Sequence, residues 1–304
     1  MIRRLWGRDP NLAIFCFHAV IREPLPVEDG CWIPLAIFER QLEALTRRYQ
    51  VVRLQDALDS LWQGGLKRRT AVLTFDDGFR NSYDVVLPTL RRYGLPATMF
   101  LTTQPIRRGG MPLWFSRLHH AICRTNCREI HWRGEVYPLR SSAERVRASG
   151  TFQRLLKTLE PAEVDSATDE LTGWMGVEDP CTTNSNFATL DAAAVRAMAL
   201  DGIFDFGAHT CTHPILSRLP VLQQRDEIEG SIGDVAELTG TSPLVFAYPN
   251  GQPSDFTLET EQILKARGMR AAFSAVQRHC TPADGRFRIP RRMMGPKNWE
   301  WKLQ

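Results

Sequence analysis

Short apolar runs alternate with helical patterns through much of the chain, and that alternation restricts the fold more than any other feature. "LAIFCFH" (12–18), "AVLTFDDG" (71–78), "PATMFLTT" (96–103), "FDFGAHT" (204–210), "LVFAYPNG" (244–251) and "RAAFSAV" (270–276) are short, rich in Ile, Val and Phe, and almost continuously apolar. Runs of that kind read as parallel strands buried on both faces. Between them, "PLAIFERQLEALTRRY", "NSYDVVLPTLRRYG", "TLDAAAVRAMALDG", "RDEIEGSIGDVAELTG" and "TLETEQILKARG" carry helical spacing. Gly94 closes the second of these, and a polar cap opens the third. Repeated βα units predict an α/β barrel, distorted or incomplete, with active residues at the C-terminal ends of its strands.

Residues from about 105 to 188 break this rhythm. "LWFSRLHHAI" predicts a short amphipathic helix, "EIHWRGEVYPL" a β-hairpin turning at Arg133-Gly134, and residues 141 to 175 two further helices. The expectation is one domain over residues 1–304, with this segment inserted at the barrel mouth. A hydrophobic fraction of 43% over 304 residues gives such a domain ample core. The net charge of +4 is small, and the pairs Arg68-Arg69, Arg91-Arg92 and Arg291-Arg292 are dispersed, which argues against a nucleic-acid partner. They favour instead an anionic substrate or membrane headgroups.

Seven cysteines (16, 31, 123, 127, 181, 211 and 280) form no even disulfide framework and no zinc-type spacing, so they read as reduced thiols. The opening "MIRRLWGRDPNLAIFCFHAV" has the basic start of a signal peptide without its apolar body or cleavage site. No stretch approaches the roughly 18 apolar residues that span a bilayer. These features predict a cytoplasmic protein.

Asp76 and Asp77 stand side by side at the end of an apolar strand. Two adjacent carboxylates repel, and burying either needs a compensating cation. The candidate partner is "GAHTCTHPIL" (207–216), where His209 and His213 are four residues apart just past another strand. On a helical turn that spacing puts both imidazoles on one face. Two histidines and one carboxylate make a three-ligand, zinc-type site with a position open for water. A divalent metal on Asp77, His209 and His213 would offset the charge of Asp77 and leave Asp76 free to take a proton from water.

"TFDDG", "HTCTHPIL" and "FAYPNG" (246–251), in that order, resemble the motifs of polysaccharide deacetylases of the NodB-homology type, carbohydrate esterase family 4. The resemblance implies a distorted barrel of about seven βα units. It also implies a divalent metal, usually zinc, and hydrolysis of an N-acetyl group from an amino sugar. Carried over by position, Asp76 is the general base and Asp77, His209 and His213 are the metal ligands. The Tyr248 backbone N–H is the donor that steadies the oxyanion, Pro249 stiffens the turn, and Asn250 stands where relatives often carry tyrosine.

The leaving amine needs a general acid. His279, in the polar loop "VQRHCTPADG", lacks the Leu-x-x-His pattern of the family's C-terminal acid. His18, at the end of the first strand, resembles the acid of a permuted branch in which an aromatic-His pair near the N-terminus fills that role. His119 and His120 read as the polar edge of the inserted helix, His131 as solvent-facing, and Cys211 as filler of its turn rather than a fourth ligand. Trp114, Phe115, Trp132 and Tyr137 fit a sugar platform or packing of the insertion equally well. Other amide hydrolysis on the same fold (deformylation, opening of a cyclic ureide) and an inactive sugar-binding protein rank lower, since base and ligands are all present. A cytoplasmic location favours a nucleotide- or lipid-linked N-acetylated precursor over finished wall polymer.

Overall fold

The computed structural model describes residues 12–66, 68–178, 184 and 186–303. The N-terminal segment read for a targeting signal and Cys181 lie outside the described residues. In chain order the elements are β1 (Leu12–Phe17), β2 (Ala19–Ile21), β3 (Trp32–Pro34), α1 (Leu35–Thr46), β4 (Gln50–Val51), α2 (Leu54–Trp62) and β5 (Thr70–Phe75). A π-turn at Ser82–Val86 leads into α3 (Leu87–Tyr93), followed by β6 (Ala97–Leu101), α4 (Thr103–Arg107) and α5 (Trp114–Arg124). Next come β7 (Glu129–Trp132), β8 (Glu135–Pro138), α6 (Ser142–Leu156), α7 (Val164–Trp174), α8 (Ala192–Asp201) and β9 (Phe204–Ala208). The chain ends with α9 (Val221–Thr239), β10 (Val245–Ala247), α10 (Leu258–Ala266), β11 (Ala271–Phe273) and β12 (Arg292–Met293).

The main sheet runs β11-β10-β9-β6-β5-β1-β12, with β4 on the edge of β5, and every pairing in it is parallel. It curls towards closure. Ile289 bridges to Phe273 of β11, and three residues on, Arg292 pairs with Phe15 of β1. The stretch from 289 to 293 thus ties the two edges of the sheet. This is the distorted, helix-wrapped barrel that the βα rhythm predicts.

Both faces of the strands are buried, and the alternation of side chains sorts them. Ala13, Phe15, Phe17, Leu73, Phe75, Met99 and Leu101 pack outward with α1, α3, α8, α9 and α10. Leu12, Ile14, Val72, Phe100, Val245 and Phe273 pack inward, plugged by Leu54, Leu58 and Leu61 of α2. Cys16, His18, Thr74 and Asp76 continue the inward set towards the C-terminal end. Gly207 of β9 is required by close packing, since a Cβ there would lie 2.5 Å from the Phe100 ring and 2.9 Å from Val245 O.

Helix ends follow the expected chemistry. Asp191 caps α8 through Ala194 N, Ser141 and Glu144 form a capping box on α6, and Gly94 ends α3 in the left-handed conformation. The segment between β6 and β9 holds α4 to α8 and the β7–β8 hairpin, whose turn has φ 52° at Arg133 and 82° at Gly134. It encloses apolar packing of its own, centred on Leu118, Ile122, Trp132, Phe152 and Leu171. Trp132 is buried against Phe152, so it belongs to that packing and not to a sugar platform. His119 is also fully buried, its ring stacked on Trp32 at 4.8 Å. The polar edge expected there is wrong, because β2–β3 covers that face of α5. Among the described residues, no helix is long and apolar enough to cross a membrane.

Candidate active site

Consecutive residues of a strand point to opposite faces, yet both Asp76 and Asp77 reach the barrel mouth. The backbone explains how. Asp76 is still held in the sheet by its N–H to Phe17 O, at 3.0 Å. Asp77 then turns left-handed, with φ 72°, and Gly78 follows at 76°. Thr210, His213 and Asn250 share this conformation, so four of the six described non-glycine residues with positive φ cluster at one site. Each costs on the order of 1–3 kcal/mol unless its surroundings enforce it, and such strain concentrates at functional sites.

Asp77 Oδ1 lies 3.4 Å from His209 Nε2 and 3.3 Å from His213 Nε2. The two imidazoles do not share a helical face. Residues 209–215 form an irregular loop, which corrects the expected helical turn. Side chains shape this loop where a helix would use its own ladder. Thr210 Oγ1 accepts from His213 N at 3.0 Å, and the Glu227 carboxylate of α9 accepts from Cys211 N (2.8 Å), Thr212 N (2.9 Å) and Thr212 Oγ1 (2.7 Å). Cys211 Sγ points at Glu227 O, 3.5 Å away, as filler of the turn.

The donor set fits a metal ion. His209 Nδ1 lies 2.7 Å from Ala247 O, and a carbonyl only accepts, so Nδ1 carries the proton. In neutral His209 that leaves the Nε2 lone pair facing a carboxylate oxygen. Asp77 Oδ1 is itself buried without a hydrogen-bond partner. Lone pairs converging on a buried, orphaned oxygen need a proton or a metal ion among them, and a carbonyl-oriented histidine is the usual support of a metal ligand. Burial alone would raise the Asp77 pKa, but the two imidazoles bring it well below the usual carboxylate range. Burial likewise disfavours the charged form of both histidines. Asp77 and Asp76 nevertheless lift His209 above its ordinary value, while His213, facing His209 and Lys157, falls below.

Asp76 is not free. Arg291 grips it with two parallel bonds, NH1 to Oδ1 and NH2 to Oδ2, both 2.7 Å, and both side chains are almost wholly buried. Burial pushes the Asp76 pKa up, but Arg291, together with His209 and His18, brings the carboxyl below its usual range. The guanidinium also contacts Ser274 O (3.3 Å) and Thr74 Oγ1 (3.4 Å) and lies over the Phe100 ring. Arg291 therefore has no part in a dispersed surface patch. It reaches Asp76 because the closing stretch 289–293 passes beside β1 and β11. Sequence reading missed Arg291 and Glu227, since neither carries a local motif and both act across large sequence separations.

Cys16, His18 and Asp76 each bring a ligand-type atom within 4.8 Å of one another. The Arg291 guanidinium on Asp76 makes this second trio unsuited to a cation, but it sets the His18 ring beside Asp76. His279 lies at the other end of the barrel. It contacts Tyr49 Oη (3.2 Å) and Arg292 (3.0 Å), next to the first residues of β1 and β5, and burial with the charge of Arg292 pushes its pKa down to about 4. Strands of six residues separate it from His18 by about 17 Å along the sheet.

The Tyr248 amide expected to face the oxyanion is instead bonded to Phe273 O at 3.1 Å, and its hydroxyl is on Phe287 O at 2.9 Å. Tyr248 belongs to the sheet and core because β10 continues its pairing with β11 through that residue. Pro249 is buried, while Asn250 is part-exposed. Asn250 and His213 line a cavity of about 390 Å³ together with Trp114, Lys157 and Arg218. His18 lines a second cavity of about 440 Å³ with Cys31, Met294 and Lys297. The aspartate pair thus has a neighbour in each cavity.

A family model described as polysaccharide deacetylase matches residues 63–272. The sequence matches none of the curated proteins. Among solved structures, the fold is similar to a Streptococcus pyogenes deacetylase, PplD, in complex with acetate (17% identity, 96% of each chain covered, TM-score 0.63). It is also similar to IcaB from Ammonifex degensii (18% identity, 97% of this chain and 98% of that one, TM-score 0.63). The BpsB deacetylase domain from Bordetella bronchiseptica aligns as well, at 16% identity over 94% and 96% of the two chains, with a TM-score of 0.57. Identities this low speak for the fold, while the family model spans more than two thirds of the sequence. The chain belongs to the polysaccharide deacetylase family.

Proposed function

We propose that the protein is a metal-dependent hydrolase that removes the acetyl group from an N-acetylated amino sugar, working as one domain with an insertion at about residues 105–188. The observation that carries this reading is the convergence of His209 Nε2 and His213 Nε2 on the orphaned Asp77 Oδ1, beside a second ionised carboxylate. Asp77, His209 and His213 would hold the divalent ion, and zinc suits two imidazoles and a carboxylate. A bound ion there would polarise the acetamide carbonyl and the attacking water.

The remaining chemistry belongs to side chains. Asp76 takes a proton from the water as its oxygen bonds to the acetyl carbon. Arg291 keeps the carboxylate ionised and its plane fixed. His18 donates a proton to the departing nitrogen, so the C–N bond breaks to give acetate and a free amine. Asn250 contacts the substrate from the cavity wall, with Pro249 stiffening its turn. The six described cysteines are free thiols, which supports a reducing, cytoplasmic setting and a nucleotide- or lipid-linked precursor as substrate.

Purified protein is expected to carry one divalent ion per chain, lost together with acetate release on chelation and restored by zinc. Elemental analysis gives the stoichiometry. Acetate release from nucleotide-linked, lipid-linked and oligomeric N-acetyl sugars gives the substrate class. Metal-free protein with undiminished turnover would overturn the reading.

His18→Ala is expected to keep the ion and lose about 10²-fold or more of amide turnover. Hydrolysis of an activated acetyl ester, whose leaving group needs no proton, should suffer far less. His279→Ala should leave the amide-to-ester ratio unchanged. An amide-selective loss in His279→Ala alone would move the acid to the opposite end of the barrel.

A further inference from the structure

The cavity beside His213 is unbalanced in charge. Four cations, Arg108, Arg117, Lys157 and Arg218, line it against two acids, Asp165 and Asp169. Both acids are committed to Arg117. Arg218 donates from NH1 to the carbonyls of Lys157 and Leu159, the latter at 2.9 Å, and carbonyls leave its charge unneutralised. Neither Arg108, Lys157 nor Arg218 forms an ion pair with an acid among the described residues.

The backbone places of these cations follow from the fold, with Arg108 and Lys157 ending α4 and α6. Arg218 closes the short 3-10 turn Leu216–Arg218, a few residues past His213, and its bonds to the loop after α6 clamp the insertion onto the histidine loop. Trp114, at the start of α5, adds an aromatic face to the same wall, and Asn250 and His213 form its inner end. Three unneutralised like charges on one concave wall repel each other and raise the local potential for an anion. A neutral ligand entering the cleft would displace water from them and give no charge in return.

We propose that this wall reads an oxyanion, phosphate or carboxylate, carried by the acetylated sugar, so that the enzyme selects acidic substrates over neutral ones. Arg108 and Lys157 meet the oxyanion through charge-assisted hydrogen bonds, and Trp114 covers a sugar ring. The inference rests on the deacetylase reading and adds the charge of the substrate to it.

The test compares three N-acetylglucosamine oligomers of equal length, one neutral, one phosphorylated and one bearing a uronic acid. The protein is the metal-loaded wild type or the Arg108→Gln/Lys157→Gln double variant. In the wild type, kcat/KM for at least one acidic oligomer should exceed the neutral one by about tenfold, chiefly through KM, and which acid wins identifies the oxyanion. Raising salt from about 50 mM to about 0.5 M should shrink the preference. The double variant should bring the ratio to within about threefold. Equal rates on all three oligomers in the wild type, or a preference untouched by the double substitution, would overturn the proposal while leaving the deacetylase reading intact. Calorimetric titration with the deacetylated phosphorylated and uronic-acid oligomers is independent of turnover. Saturable binding of either that the double variant loses supports the anion wall even if no acetate is released, in which case only the deacetylase reading falls. No saturable binding of either in the wild type counts against the wall itself.

Discussion

Replacing Arg291 with methionine is expected to destabilise the protein by about 3–5 kcal/mol at neutral pH, the usual cost of leaving one partner of a buried ion pair alone. Asp76 is buried, and among the described residues only Arg291 is ion-paired with it. The pH dependence should change sign as well. In the wild type the Asp76 pKa is lowered on folding, so its contribution is present above the ordinary carboxylate pKa of about 4 and is lost as pH falls through the lowered value. With methionine at 291, burial, the largest influence on this carboxyl, is opposed only by the weaker charges of His209 and His18, and the folded pKa is expected to rise above the ordinary value. The contribution of Asp76 is then present only below about 4 and is lost as pH rises through the raised value. The stability gap between wild type and variant should therefore widen from about pH 4.5 to about pH 7.5, measured by urea unfolding. A gap of constant size would mean that Asp76 is not the ionised partner of Arg291.

Asp76→Asn should lower kcat by about 10²–10⁴, because the amide cannot accept the proton of the attacking water. The ligands Asp77, His209 and His213 are untouched, so the metal content of the folded variant should equal that of the wild type. Asp77→Asn, in contrast, should lose both metal and turnover. Adjacent residues of the same type would then be separated by a single pair of measurements, acetate release and elemental analysis. Near-normal turnover in Asp76→Asn would remove Asp76 as the base, and metal loss in that variant would mean that the two aspartates share the ion.

Much of the molecule follows from local sequence. The strands from "LAIFCF" to "RAAF" are too continuously apolar to sit anywhere except between two packed layers, and parallel pairing with helical crossovers is the arrangement that covers both faces. The capping box at Ser141 and Glu144, the left-handed Gly94 and the Arg133-Gly134 turn are set by residues within a few positions of each other. The Asp-Asp-Gly and His-x-x-x-His motifs were legible for the same reason, since strand ends and spacing identify them without knowledge of the partner. What lay beyond the sequence were the contacts between distant residues that carry no local motif. Arg291 reaches Asp76 across 215 residues, and Glu227 on α9 shapes the histidine loop that local spacing alone would have made helical. Tyr248 was lost to the site for a similar reason, because β10 pairs one residue further with β11 than its turn residues suggest. His119 is buried because β2–β3, an element without a clear local pattern, folds over it. Local conformation is set by a residue's own torsional preferences and near neighbours, which the sequence displays directly. The compensation of a buried charge is set by whichever group the closed barrel brings within about 3 Å, and only the tertiary structure decides that.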